Sequence, residues 1–253
     1  HGNNLLLLRE IKLTIFICLM THSKAFSTVT AKELYALIDA EYSSRNEIFG
    51  IPEALFFKPA ANEGLKMEIF GQQLETPIGV AAGPHTQMAQ NIISAWLCGA
   101  RYIELKTIQT LDELEISKPC IDMQDEGYNC EWSQELRIEE SFNEYLKAWV
   151  IIHLLQHKLG LYHQQGRGFI FNMSIGYNFE GIQKANVQWF LKSMADCSKA
   201  KHQIINELLP VYPELANIEI PERISDNITL STMHGCPPDE IEKIGHYLLK
   251  EKK

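Results

Sequence analysis

Three things are missing from this chain of 253 residues, namely a C-x-x-C pair, a basic cluster and a long apolar run. Its six cysteines (Cys18, Cys98, Cys120, Cys130, Cys197, Cys236) stand far apart. That spacing gives no support for a zinc or iron–sulfur site within the chain and suits free thiols in a reducing cytosol. Lys and Arg number 23 against 32 Asp and Glu, and the net charge of −9 argues against a nucleic-acid footprint. Leu5–Leu8 and Leu13–Met20 are apolar, but Arg9, Glu10 and Lys12 interrupt them well short of the ~20 residues of a membrane span. No small-residue cleavage pattern follows, so no signal peptide is expected, and a cytoplasmic location is.

The composition, 45% hydrophobic and 22% charged, allows a large core in one α/β domain or a domain and a half. That core is organised around Thr76–Thr110, which reads as strand, loop, helix, strand: one βαβ unit. Pro77–Gly83 starts apolar and ends in Ala81-Ala82-Gly83, so a flat ligand could lie against its backbone. Ile92, Ile93, Trp96 and Leu97 form a helical stripe that Gly99 stops. Arg101–Leu105 reads as the next strand and delivers Lys106-Thr107 at its end. The plain alternative is an ordinary βαβ unit with a solvated Lys106.

Upstream, Met20-Thr-His-Ser looks like a natural start, so residues 1–19 are expected to be leader in front of the native protein. Residues 20–75 are expected to form an extension. It holds a helix over Thr30–Tyr42 capped by Thr30 with Glu33, in which Leu34, Leu37 and Ile38 share a face, then a loop, then a hairpin turning at Gly71-Gln72. Downstream, Leu111–Cys130 lacks periodicity, and its acidic stretch Asp112–Glu126 is most simply a solvated face. Ile138–Leu159 is a long helix with a stripe of Phe142, Tyr145, Leu146, Trp149, Ile152 and Leu155. Phe169–Ile175 is a continuous apolar strand of the covered parallel kind, and a helix follows over Val187–Ala195. Ile204–Pro221 reads as linker with some helix, Ile228–Ser231 as a fourth strand, and Pro238–Leu249 as a last helix.

Strands alternating with helices predict parallel βαβ architecture. The expected fold is a (β/α)₈ TIM barrel, with residues 76–253 as its first half of about four βα units. Ligands in such folds sit at the C-terminal strand ends, where Ala81-Ala82-Gly83, Lys106-Thr107, Asn172-Met173-Ser174 and His234-Gly235-Cys236 converge. Small residues, a cation, an amide, hydroxyls and a thiol suit a planar cofactor such as flavin, whose carbonyls amide side chains can read. A thiol over the ring can move a proton. Cys236 is otherwise a small hydrophobe, and His234 reads better as a turn residue. Asn172, inside Phe-Ile-Phe-Asn-Met, needs hydrogen-bond partners. His85 and Gln87 reach the rim only if the Pro84 loop folds inward.

TPIGVAAG and YIELKT resemble the first and second barrel strands of the flavin-dependent dihydroorotate and dihydropyrimidine dehydrogenase superfamily. The blocks AAGPHTQMAQNIISAWLCGARYIELKTIQTLDELE, KPCIDMQDEGYNCEWS, FIFNMSIGYNFEGI and ITLSTMHGCPPDEIE are similar to a family named for a selenate reductase subunit. The resemblance implies an oxidoreductase subunit carrying out flavin-mediated hydride or electron transfer on a small molecule. FMN would contact Ala81, Ala82, Gly83, Lys106, Thr107, Asn129, Asn172 and Ser174. Lys106 would support reduced flavin, and Cys236, in a Gly-Cys-Pro similar to the Ser-Cys-Pro of the pyrimidine enzymes, would move the proton. The resemblance also implies 4Fe–4S, FAD and NAD(P)H modules elsewhere in a longer parent or its partner subunits, a fragment inactive by itself, and no resident metal ion here. Two other classes fit the same residues: an aldolase or lyase with a Schiff base on Lys106, and a degenerate barrel that scaffolds an electron-transfer complex.

Overall fold

A computed structural model describes residues 28–59, 64–110, 136–161, 167–176, 178–231 and 237–251, together with the backbone of 121–122 and 128–129. The expected leader, residues 1–19, lies outside the described residues. Helix α1 (Ala31–Arg45) begins with a full capping box. Thr30 Oγ1 accepts from Glu33 N at 3.1 Å and Glu33 Oε2 accepts from Thr30 N at 2.9 Å, so two orphan amides are satisfied reciprocally. Leu34 and Ile38 are buried, but Leu37 is exposed, because Tyr35 and Ala31 complete the inward face instead.

Two short hairpins follow, Glu47–Ile48 with Ile51–Pro52 and Met67–Ile69 with Gln72–Leu74. Each turns through a phenylalanine and a glycine at positive φ, Phe49 (53°) with Gly50 (72°) and Phe70 (54°) with Gly71 (72°). Turns of this mirror-image kind match the twist of tight hairpins.

The frame of the molecule is a parallel sheet of four strands: β1 (Gly79–Val80), β2 (Tyr102–Glu104), β3 (Ile170–Gly176) and β4 (Ile228–Ser231). Their spatial order is 1-2-3-4, each strand beside its predecessor. A doubly wound sheet reverses direction at a switch point; this one never does, and that is how a barrel grows. The fold is therefore α/β of TIM-barrel type, with four strands forming an arc of the wall. Gly79 lets β1 and β2 approach, since a Cβ there would stand 2.8 Å from the Tyr102 carbonyl oxygen.

Among the described residues, five further helices of nine residues or more cover the arc: α2 (Ala89–Leu97), α3 (Ile138–Lys158), α4 (Ala185–Ala195), α5 (Ser198–Leu208) and α6 (Pro238–Glu251). The stretch expected to be linker with some helix, Ile204–Pro221, holds the last turns of α5 and then a 3₁₀ turn at Pro213–Asn217. Ile103 and Leu105 of β2 and its continuation, with Phe171, Met173 and Ile175 of β3, make the buried floor beneath the helices.

Helix α3 departs most from its sequence pattern. A stripe was expected, yet every residue from Tyr145 to Gln156 is buried. Packing on α2, α4 and α5 covers the faces that a surface helix would leave wet. At its centre Trp149 meets Phe169 and Phe171 edge-on, each with ring centroids 5.3 Å away. Truncating such a ring costs about 3–5 kcal/mol.

Candidate functional site

The rim begins at the bare end of β1. Ala81 and Ala82 are exposed and Gly83 is buried. Gly83 is extended, and a Cβ on it would lie 2.6 Å from the His85 ring, so glycine makes room for that imidazole. Of the two residues whose direction was open, His85 is exposed and Gln87 is buried. The Gln87 Oε1 atom accepts from Leu136 N at 3.3 Å, beside the start of α3.

The end of β2 is irregular. Glu104 lies opposite Asn172, and four residues later Ile108 lies opposite Ile175. Leu105, Lys106 and Thr107 therefore face only Met173 and Ser174, which makes a β-bulge. Both sides of it are pinned: Leu105 N donates to Asn172 O at 2.9 Å, and Ile108 N to Ser174 O at 2.8 Å. A third anchor comes from behind, where Tyr145 of α3 donates its hydroxyl hydrogen to the Lys106 carbonyl at 3.0 Å. Bulges re-aim side chains, and here the Thr107 and Ser174 hydroxyls meet at 3.0 Å. Lys106 is only 4% exposed, so the solvated lysine of an ordinary βαβ unit does not describe it.

One layer deeper, the sheet face carries a polar group that sequence reasoning only half saw. The partners that Asn172 needed are Glu104 and Thr229: Asn172 Nδ2 donates to Glu104 Oε2 at 2.7 Å and to Thr229 Oγ1 at 2.5 Å. Burial pushes the Glu104 carboxyl above its usual range, while donors from Asn172, Thr229 and Tyr102 oppose that push. Burial also holds the Tyr102 phenol up at about 12. Glu104 and Tyr102 were legible in principle, because Tyr-Ile-Glu-Leu-Lys alternates polar and apolar side chains along a strand.

Three expected positions are placed less fully. Asn129 is paired by backbone with Ile121 in a small antiparallel ladder, its side chain outside the described residues. Cys236 and His234 lie outside them altogether. The residues brought together at the strand ends are thus Lys106, Thr107, Asn172 and Ser174, with Ala81, Ala82 and Gly83 at the end of the neighbouring β1. No helix among the described residues is long and apolar enough to cross a membrane.

Residues 49–253 match the family model described as "Oxidoreductase YgfK, N-terminal TIM-barrel domain". Two curated relatives, from Escherichia coli (strain K12) and Escherichia coli O157:H7, both carry the name "Putative oxidoreductase YgfK". Each is 45% identical over 240 residues, covering 87% of this chain and 23% of the relative. The chain thus spans about a quarter of the length of these relatives.

Proposed function

The chain belongs to the family of the YgfK oxidoreductase N-terminal TIM-barrel domain, and from that premise we propose that its strand-end rim is a flavin site. The observation that carries the reading is the β-bulge, which sets Lys106 and Thr107 beside Ser174 on a rim that ends, at β1, in residues almost without side chains. These residues fit FMN. A flat ring has backbone to rest on at Ala81-Ala82-Gly83, and a pair of hydroxyls and a buried cation stand on the neighbouring strands.

FMN, when bound, supplies hydride or electron exchange with a small-molecule substrate. Lys106 offers positive charge and N–H donors to an electron-rich ligand edge, in a setting where burial strengthens the interaction. Thr107 and Ser174 hold the ligand edge by hydroxyl hydrogen bonds, and Asn172 and Asn129 contribute side-chain amides. Cys236, between β4 and α6 in the sequence, gives or takes the proton that accompanies hydride movement. Electrons come from 4Fe–4S, FAD and NAD(P)H modules in other parts of a longer polypeptide or in partner subunits.

The test is to mix the purified chain with FMN, remove free flavin, denature the protein and read the released absorption spectrum. Wild type is expected to retain FMN. A Lys106→Ala/Thr107→Ala variant with unchanged far-ultraviolet dichroism is expected to lose it. Equal retention by both would place any flavin away from the bulge, and no retention by wild type would defeat the reading.

A further inference from the structure

The hydrogen bonds around Asn172 have a direction. A carboxylate only accepts, so the Glu104 side must receive an N–H, and Asn172 Nδ2 supplies it at 2.7 Å. The Thr229 hydroxyl oxygen accepts the second Asn172 N–H at 2.5 Å, as a hydroxyl can whichever way its own hydrogen points. Both hydrogens of the amide are then used. Reversing the amide would bring Asn172 Oδ1 against Glu104 Oε2, acceptor to acceptor. Asn172 is 1% exposed and cannot turn to water for relief.

We infer that Glu104, with Thr229, is a positioning residue that locks the Asn172 amide so that its Oδ1 atom is the group offered to a ligand. Asn172 therefore reads a ligand N–H and not a ligand carbonyl. This reverses the role that an amide side chain is given when only the sequence is known. Asn172 belongs to β3 and Glu104 to β2, so the two strands must be in register for the reader to work. The ligand class this selects is a heterocycle or imide with an N–H at its edge. The inference rests on the flavin reading for its choice of probe, since oxidised FMN has one ring N–H.

Two measurements keep the readings apart. The first needs no ligand: a nitrogen–proton correlation spectrum of labelled protein at mildly alkaline pH, with the Asn172 side-chain amide identified by its loss in Asn172→Ala. Wild type is expected to show a pair of well-dispersed, slowly exchanging amide protons. They should collapse toward the free-amide position in Glu104→Leu and shift in the milder Thr229→Val. A freely exchanging amide in wild type, or one indifferent to both substitutions, would overturn the inference.

The second compares FMN with FMN methylated at its ring imide nitrogen, by fluorescence quenching. Wild type is expected to prefer FMN by about fivefold to tenfold, one hydrogen bond's worth, and Thr229→Val to lose much of that preference. Equal binding of the two flavins by wild type would overturn the ligand part of the inference. Binding of neither would defeat the flavin reading and leave the amide spectrum to decide on Glu104.

Discussion

The two ends of β2 carry charged side chains to opposite purposes. At its N-terminal end Arg101 is 1% exposed and Glu75 is 4% exposed, and Arg101 Nε donates to Glu75 Oε2 at 2.5 Å. The same guanidinium donates to the Trp96 carbonyl at 2.6 Å and lies over the Phe57 and Trp96 rings. Every part of that arrangement faces inward. At the C-terminal end, Glu104 and Lys106 stand within a polar surface built around a bulge. On the flavin reading, one strand thus separates stability from ligand chemistry by its direction, in keeping with barrel architecture.

Substitutions at the N-terminal end should therefore cost folding, and substitutions at the bulge should cost binding. Arg101→Ala strands Glu75 as a buried charge and is expected to lose about 3–5 kcal/mol in urea unfolding. Replacing both partners by apolar residues of similar volume should recover most of that.

His153 belongs to the same end, packed at 4.5 Å from Trp149 and 5.5 Å from Phe169, with Nδ1 held by the Trp149 carbonyl. Burial depresses its pKa to about 4, from an ordinary 6.5. Between those values the unfolded chain binds a proton that the native chain refuses. Stability is unaffected above 6.5 and falls as pH drops toward 4. The loss should approach about 3 kcal/mol, read as the difference between the pH profiles of wild type and His153→Leu.

Gly168 sharpens the contrast further. Its φ is +75° and a Cβ would stand 2.5 Å from Glu75 Oε1, so Gly168→Ala is expected to cost about 1–3 kcal/mol in the same assay. Thr107→Val is the counterpart at the other end. It should change stability by less than about 1 kcal/mol while weakening FMN binding by about tenfold. A Thr107→Val protein that unfolds easily yet binds normally would erase the division between the two ends.

Much of this was legible in the sequence, for local reasons. Thr30 with Glu33 announced a helix start, Gly71 a hairpin, and Pro77–Gly83 and Arg101–Leu105 two strands of one βαβ unit, each within a few neighbouring residues. The full burial of α3 was not legible, because it depends on α4 and α5 folding back over a helix whose own pattern shows only a stripe. Neither was the bulge, since an extra residue in β2 exists only relative to β3, more than sixty positions away. Asn172 could be flagged as a polar group needing partners, but Glu104 and Thr229 could be assigned to it only once register was known.

The three anchors of the bulge insulate it from the residues that follow. Lys106 and Thr107 are held from β3 on one side and by Tyr145 from behind, and Ile108 is already back in register. Gly176 N donates to the Ile108 carbonyl at 2.8 Å, so the correction is complete before the segment after Thr110 begins. Substitutions in that segment are therefore expected to leave Lys106 where it is. On the flavin reading, the rim keeps its cation whatever the composition of the residues that follow.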